Sequence, residues 1–435
     1  MEAQATVKIL RHMWQIPDIR RHNRLHKLSD MITIAIFAVI ARAEGWVDVA
    51  EYGRRKLDWL KTFLDLRNGI PSHDIFGRVF ARLKPEEFER CFMAWMSTLV
   101  ELGGGKLVAI DGKSLRQNFD HSCDKSGMAH IVNAVVAANR FLVAFLMTKG
   151  KGQELNAIER LLKLVDLRGA VVTFDALGCN KTVVELFLEG DADYVLQTKE
   201  NQPTLYGKAK NLMDEMILEK FAGIEHDSHV DVNGGHGRIE TRRVWVCWNV
   251  RDLGPIAQQW PGLKSRVVVE SIRQVGAHKS VERHYDISSL GRRARAKRMA
   301  EYLRGHWAVE NNLHGQLDIS CNEDRRRIRK GHGAENFSRL CRIPLNHLKN
   351  QTTLEFGIAG QRECCGWDDQ YLLKVIGQGD YSYMRLPWIV PVAQSNIPLT
   401  VSTPLPFSVA SCPCVNPLIT TSMSRVTVPS PNCTS

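Results

Sequence analysis

Gly103, Gly104, Gly105, Lys106, Leu107, Val108, Ala109, Ile110, Asp111, Gly112 and Lys113 form the stretch on which the reading of this sequence turns. The three glycines end a long helical pattern, and residues 106–110 are a short apolar run of the length a buried strand needs. The run closes on an acid, Asp111. A second run, residues 170–174, closes the same way in Thr173, Phe174, Asp175 and Ala176. A carboxylate at a strand end can leave the buried sheet and meet one from a neighbouring strand, which is how a hard cation is held. Each acid alone is more usually a turn or a helix cap, and it is the two together that point to a site.

Working outward, strands are expected over residues 130–137, 141–148 and 194–198. Helices are expected through residues 155–164 and 181–188. Three strands in hairpin succession, then helix, strand, helix, strand, describe an α/β mixed sheet with helices packed on it. That order suits a ribonuclease-H-like core. Residues 9–102 carry apolar side chains at helical spacing and read as an all-α leader, with Ser72 placed to cap one helix and another starting at Pro85. Such a bundle could seat a DNA-binding helix pair, but core packing explains the same residues.

After Thr198 the core is interrupted. Residues 199–289 are helical to Phe221 and then polar and strand-like, with strands expected around 242–248 and 266–272. Helical periodicity resumes over 294–313 and again over 335–349, where Pro344 should kink or end the helix because it lacks the amide donor. The expected domains are a helical segment 1–103, a core 104–350 with an insertion at about 205–290, a segment 351–379 and a tail 380–435. Beyond Gly379 the only acid is Asp380, the only bases are Arg385 and Arg425, and nine of the sixteen prolines follow. The tail therefore reads as a disordered or non-native extension.

Composition narrows the function. Hydrophobic residues at 44% and charged residues at 24% describe an ordinary globular protein of 435 residues. The longest apolar run, residues 31–41, is too short to span a membrane. With no signal peptide visible, the expectation is a cytoplasmic protein. Eleven cysteines at irregular spacings, among them Cys91, Cys179, Cys247 and Cys341, read as reduced core thiols rather than a zinc set. The net charge is +11, and between Gly291 and His332 eleven Lys/Arg stand against five Asp/Glu. Such a cluster suits a polyanion partner, though a solvated basic surface would look the same.

The third carboxylate must come from elsewhere, and Arg304, Gly305, His306, Trp307, Ala308, Val309, Glu310, Asn311, Asn312, Leu313 and His314 offer Glu310 on a helix, with His314 and Asp318 at helical spacing. A structural ion pair to a nearby arginine is the competing reading of Glu310.

Together these motifs resemble the ISAs-type family of insertion-sequence transposases, also called H-repeat-associated proteins. The resemblance covers residues 9–376 and rests on Ile16, Pro17 and Asp18 with residues 69–80, then residues 109–116, 173–179, 193–202, 236–243 and 304–336. Six matches in order are more specific than one short motif. The resemblance implies a ribonuclease-H-like fold and a DDE magnesium site built from Asp111, Asp175 and Glu310. It implies two Mg2+ ions, with Mn2+ as a substitute, and strand cleavage and joining on double-stranded DNA at terminal inverted repeats and target. Contacts to that DNA are expected from Lys113, Lys199, Asn201, Gln202, Arg304, His306, Trp307, Asn311, His314, Arg327, Arg329 and Lys330. A homodimer would hold two ends in a synaptic complex.

Gly315 and Pro344 depart from the family pattern, and Leu303, His306 and Leu317 stand where related transposases place Tyr, Arg and Lys around the glutamate. These departures bear on whether this copy is active or decayed. Two other functions share the residues: a ribonuclease-H-like nuclease without strand transfer, and a non-catalytic DNA-binding protein.

Overall fold

The apolar spacing of the N-terminal segment produces six helices: α1 (Lys8–Met13), α2 (Leu28–Ile40), α3 (Trp46–Arg55), α4 (Leu57–Leu60), α5 (His73–Arg82) and α6 (Pro85–Ser97). The computed structural model describes residues 8–20, 24–97, 106–114, 129–137, 141–149, 154–235, 237–309, 313–349 and 354–377. All of them fall within the compact unit Met1–Ile389. Helix α2 is apolar all round, and its residues from Met31 to Ile40 are all buried, which makes it the centre of the bundle. Ser72 caps α5 as its position suggests, its side-chain oxygen accepting from the Ile75 amide.

The sheet follows: β1 (Leu107–Ser114), β2 (Ala129–Val136), β3 (Phe141–Lys149), α7 (Glu154–Leu164), β4 (Val171–Phe174), α8 (Lys181–Glu189) and β5 (Asp193–Thr198). Then come α9 (Pro203–Leu218), β6 (His226–Gly235), β7 (Arg238–Cys247), α10 (Pro255–Gln258), β8 (Ser265–Val275) and β9 (His278–Ser288). The chain closes with α11 (Ala296–Val309), α12 (Gly315–Cys321), α13 (Gly333–Lys349), α14 (Ile358–Trp367) and α15 (Asp369–Gly377).

Strand order is β3-β2-β1-β4-β5-β9-β8-β7-β6. The first three strands pair antiparallel, while β1, β4 and β5 run parallel. This is the mixed ribonuclease-H-like core expected from the order of elements. Residues 199–289 do not stand apart from it: β9 pairs antiparallel with β5, so the inserted strands prolong the same sheet.

The two faces of the sheet bury separate cores. Leu107, Val171 and Val195 pack with Val244, Val246, Val267 and Val269 under Met299 and Tyr302 of α11. By strand alternation Val172, Phe174, Tyr194 and Leu196 turn to the other side, where they join Ile158 and Leu161 of α7 and Val183, Val184 and Phe187 of α8.

Two expectations need correction. Strand β1 does not end before Asp111 but runs on to Ser114, because β2 pairs with it that far. Helix α13 is not ended by Pro344, which lies inside it. Every residue from Gly333 to Leu348 except Glu335 is buried, and this packing outweighs one lost amide bond. Cys91, Cys179, Cys247 and Cys341 are buried free thiols, as their apolar surroundings suggested. Among the described residues no helix is long and apolar enough to cross a membrane. The tail from residue 380 lies outside the described residues.

Candidate active site

Strands β1 and β4 are parallel neighbours, and their last paired residues are Ile110 and Phe174. Asp111 and Asp175 are the next residues, so the two acids stand side by side in mid-sheet, at the C-terminal edge of the β1–β4 pairing, on strands about 4.8 Å apart. Asp111 is half-buried and stays paired to Asn133 of β2. Its Oδ1 accepts from the Gly112 amide at 2.8 Å, and its Oδ2 lies 3.4 Å from Nδ1 of His314. Asp175 opens a turn in which the Gly178 amide donates to its carbonyl at 3.0 Å. Two adjacent carboxylates form an oxygen-only donor set, which suits a hard divalent cation such as Mg2+. Among the described residues no three His, Cys, Asp or Glu side chains are grouped to hold a metal. The third expected acid, Glu310, lies outside those residues, as does Asn311.

The chain on both sides of Glu310 is anchored at this edge. His306, near the end of α11, has Nδ1 at 3.2 Å from Oγ1 of Thr173, two residues before Asp175. Gly305 lets α11 come this close: a Cβ there would fall 2.3 Å from Cδ2 of Leu107. On the far side, Leu313 is buried and His314 faces Asp111.

Several expected DNA contacts are engaged elsewhere. The Lys113 side chain is only 7% exposed, with Nζ 2.5 Å from Asp318, 3.8 Å from Asp324 and 4.0 Å from Glu323, so its charge is spent on three carboxylates. Asn201 donates from Nδ2 to the carbonyl of Ala176 at 2.5 Å, and Gln202 donates from Nε2 to that of Cys179 at 3.0 Å. Both amides therefore brace the turn that follows Asp175 instead of reaching for phosphate. His306 and His314 are each held at about 4 by burial, and as neutral rings they bring no positive charge to DNA near neutral pH.

The remaining expected contacts are open. Lys199, Arg304, Arg327, Arg329 and Lys330 are exposed, with Arg304 paired to Asp231 at 3.2 Å. Trp307 is 38% exposed, with the Arg242 guanidinium 5.7 Å over its ring and His284 meeting it edge-on. Lys199 lines an open groove with Asn201, Tyr206 and Arg283.

Sequence reasoning missed the acid Asp286, which faces Gln197 across the β5–β9 pairing and lines a narrow pocket with His284, His306 and Trp307. Its Oδ2 is buried without a hydrogen-bond partner, and burial pushes its carboxyl up to about 8. Only the strand pairing brings it into line with the acids. Also missed were the buried Asn133, Glu323 and Arg342 behind Asp111. Arginines at 339 and 342 on the apolar face of a helical pattern were the available signal.

Residues 102–346 match the family model described as "Transposase DDE domain", and residues 10–96 match the one described as "DDE_Tnp_1-associated". The chain is 35% identical over 374 residues to "Putative protein YbfL" of Escherichia coli K12, covering 85% of this chain and 97% of that one. It has the same identity and coverage with "H repeat-associated putative transposase YhhI" of the same organism. A solved piggyBac transposase synaptic complex with hairpin DNA aligns at 10% identity and a TM-score of 0.39 over 89% of this chain and 79% of that one, a likeness too slight to carry an argument.

Proposed function

This chain belongs to the Transposase DDE domain family, among the H repeat-associated transposases, and on that premise we propose that Asp111, Asp175 and Glu310 are the acids with which it cuts and joins DNA. It is an insertion-sequence transposase. The observation that carries the assignment is the pair of parallel strands that sets Asp111 beside Asp175, with the segment holding Glu310 tied down on both sides, at Thr173 and at Asp111.

Cleavage and joining both displace one oxygen of a phosphodiester in line. The three carboxylates would hold two Mg2+ ions, with Mn2+ as a substitute; when bound, the chemistry these supply is activation of the attacking oxygen and stabilisation of the departing one. The chain's own residues do the rest. Asp111 would share both positions, while Asp175 and Glu310 would each serve one. Asn201 and Gln202 fix the turn behind Asp175. Lys199, Arg304, Arg327, Arg329 and Lys330 supply exposed charge for phosphates, and Trp307 and Asn311, close to Glu310 in sequence, would add further contacts. Double-stranded terminal repeats and target are the substrate, and a homodimer would bring two ends together.

The test is product analysis with purified protein, terminal-repeat DNA and Mg2+. Joined products are expected from the wild type and none from Asp111→Asn, with DNA binding retained in that variant. Unchanged joining by Asp111→Asn overturns the assignment. Hydrolysed ends that are never joined would make the protein a nuclease, and magnesium-independent binding with no cleavage would make it a DNA-binding protein only.

A further inference from the structure

Behind Asp111 lies a chain of buried polar groups whose hydrogen-bonding roles can be settled one after another. It starts at Arg342 of α13, whose side chain is fully buried and whose Nη1 donates to Oε1 of Glu323 at 2.7 Å and to the carbonyl of Ser338 at 3.0 Å. A guanidinium has donors and no acceptor. Its Nε lies 3.2 Å from Oδ1 of Asn133, so that atom is the amide's oxygen and accepts.

Asn133 is itself fully buried, and its other amide atom, Nδ2, must then face Nε2 of His314 at 3.4 Å. Nδ2 can only donate, and two donors cannot face each other, so Nε2 carries no proton. The remaining proton of the neutral imidazole sits on Nδ1, the nitrogen turned to Oδ2 of Asp111 at 3.4 Å.

We propose that His314 is a positioning residue for Asp111: Arg342, through Asn133, fixes it as the Nδ1–H tautomer, which donates to Oδ2 and sets the orientation of the carboxylate. With Oδ1 accepting from the Gly112 amide, each oxygen of Asp111 then has a donor that fixes its direction. Groups of this kind behind a ligand orient it and commonly change metal affinity about 10- to 100-fold when removed. The site itself rests on the reading of Asp111 given above, while the protonation pattern does not depend on it. This assigns His314 a role inside the protein instead of at the DNA, and gives Asn133 and Arg342 a function that their burial alone would not.

The experiment uses the full-length, metal-free protein with 15N-labelled histidine. Imidazole NMR, with the His314 signal assigned by its loss in His314→Asn, is expected to show Nδ1 protonated and Nε2 bare in the wild type. In Asn133→Asp, where the donor becomes an acceptor, Nε2 should acquire a proton. A wild-type His314 protonated at Nε2 overturns the proposal outright, and needs no variant that might fail to fold. Mn2+ binding, followed by electron paramagnetic resonance of the free ion, supplies the second readout. His314→Ala should bind about 10- to 100-fold more weakly. His314→Asn, whose amide can place a donor where Nδ1 stood, should recover most of that loss, and equal weakening in both variants overturns the positioning role. A wild-type protein that shows the Nδ1–H tautomer but binds no Mn2+ would sink the metal-site reading, and the positioning role with it, while leaving the tautomer assignment intact.

Discussion

Lys113 shows how far a residue's role depends on its neighbours. In sequence it follows Asp111 and Gly112 and looks like a phosphate contact; in the fold its ammonium is buried among Asp318, Glu323 and Asp324. Removing one partner of a buried charge set leaves the others uncompensated, which costs about 3–5 kcal/mol. Lys113→Met is therefore expected to lower stability by up to that amount in denaturant unfolding, with the loss coming from Asp318 and Asp324, since Glu323 keeps its pairing to Arg342. Unchanged stability together with weakened DNA binding would return Lys113 to the DNA surface. The same burial explains why sequence could name Asp111 and Asp175 but not the groups behind them. An acid after an apolar run announces itself, whereas Asn133 gains its meaning only from a strand register and from an arginine more than two hundred positions away.

Among the elements, α11 carries the most consequence, since it packs on the sheet and ends at Val309, the residue before Glu310. Its approach depends on Gly305, where an added Cβ would meet Leu107 at 2.3 Å and Ala137 at 3.2 Å. Gly305→Ala is expected to push α11 off β1, with a cost of about 1–3 kcal/mol typical of overpacking. Thermal unfolding would measure it, and Leu107→Ala in the same chain should recover part of the loss; a double variant no more stable than the single one would refute this contact as the cause. The strands and helices of the core were readable because their apolar periods are regular. Strands β6 and β9 were not, because no residue of His226–Gly235 is buried and the first half of His278–Ser288 is exposed, so neither carries a sustained apolar alternation. Pro344 misled for the opposite reason: a local rule lost to the burial of a whole helix.

At the scale of the molecule, the order of elements disclosed the mixed sheet and the resemblance disclosed the family, but neither showed that the inserted strands belong to the same sheet as the acids. Strand β9 closes the edge of β5, and Val244, Val246, Val267 and Val269 form part of the floor on which Met299 and Tyr302 of α11 rest. A chain lacking residues 205–290 is therefore expected to lose cooperative unfolding altogether, because β5 would be left as an open edge and α11 without much of its seat. A sharp thermal transition in that shortened chain would contradict this. The region that looks most dispensable in the primary structure is thus a foundation. Trimming it away is therefore not expected to leave a smaller working fragment, because the ground beneath α11 would go with it.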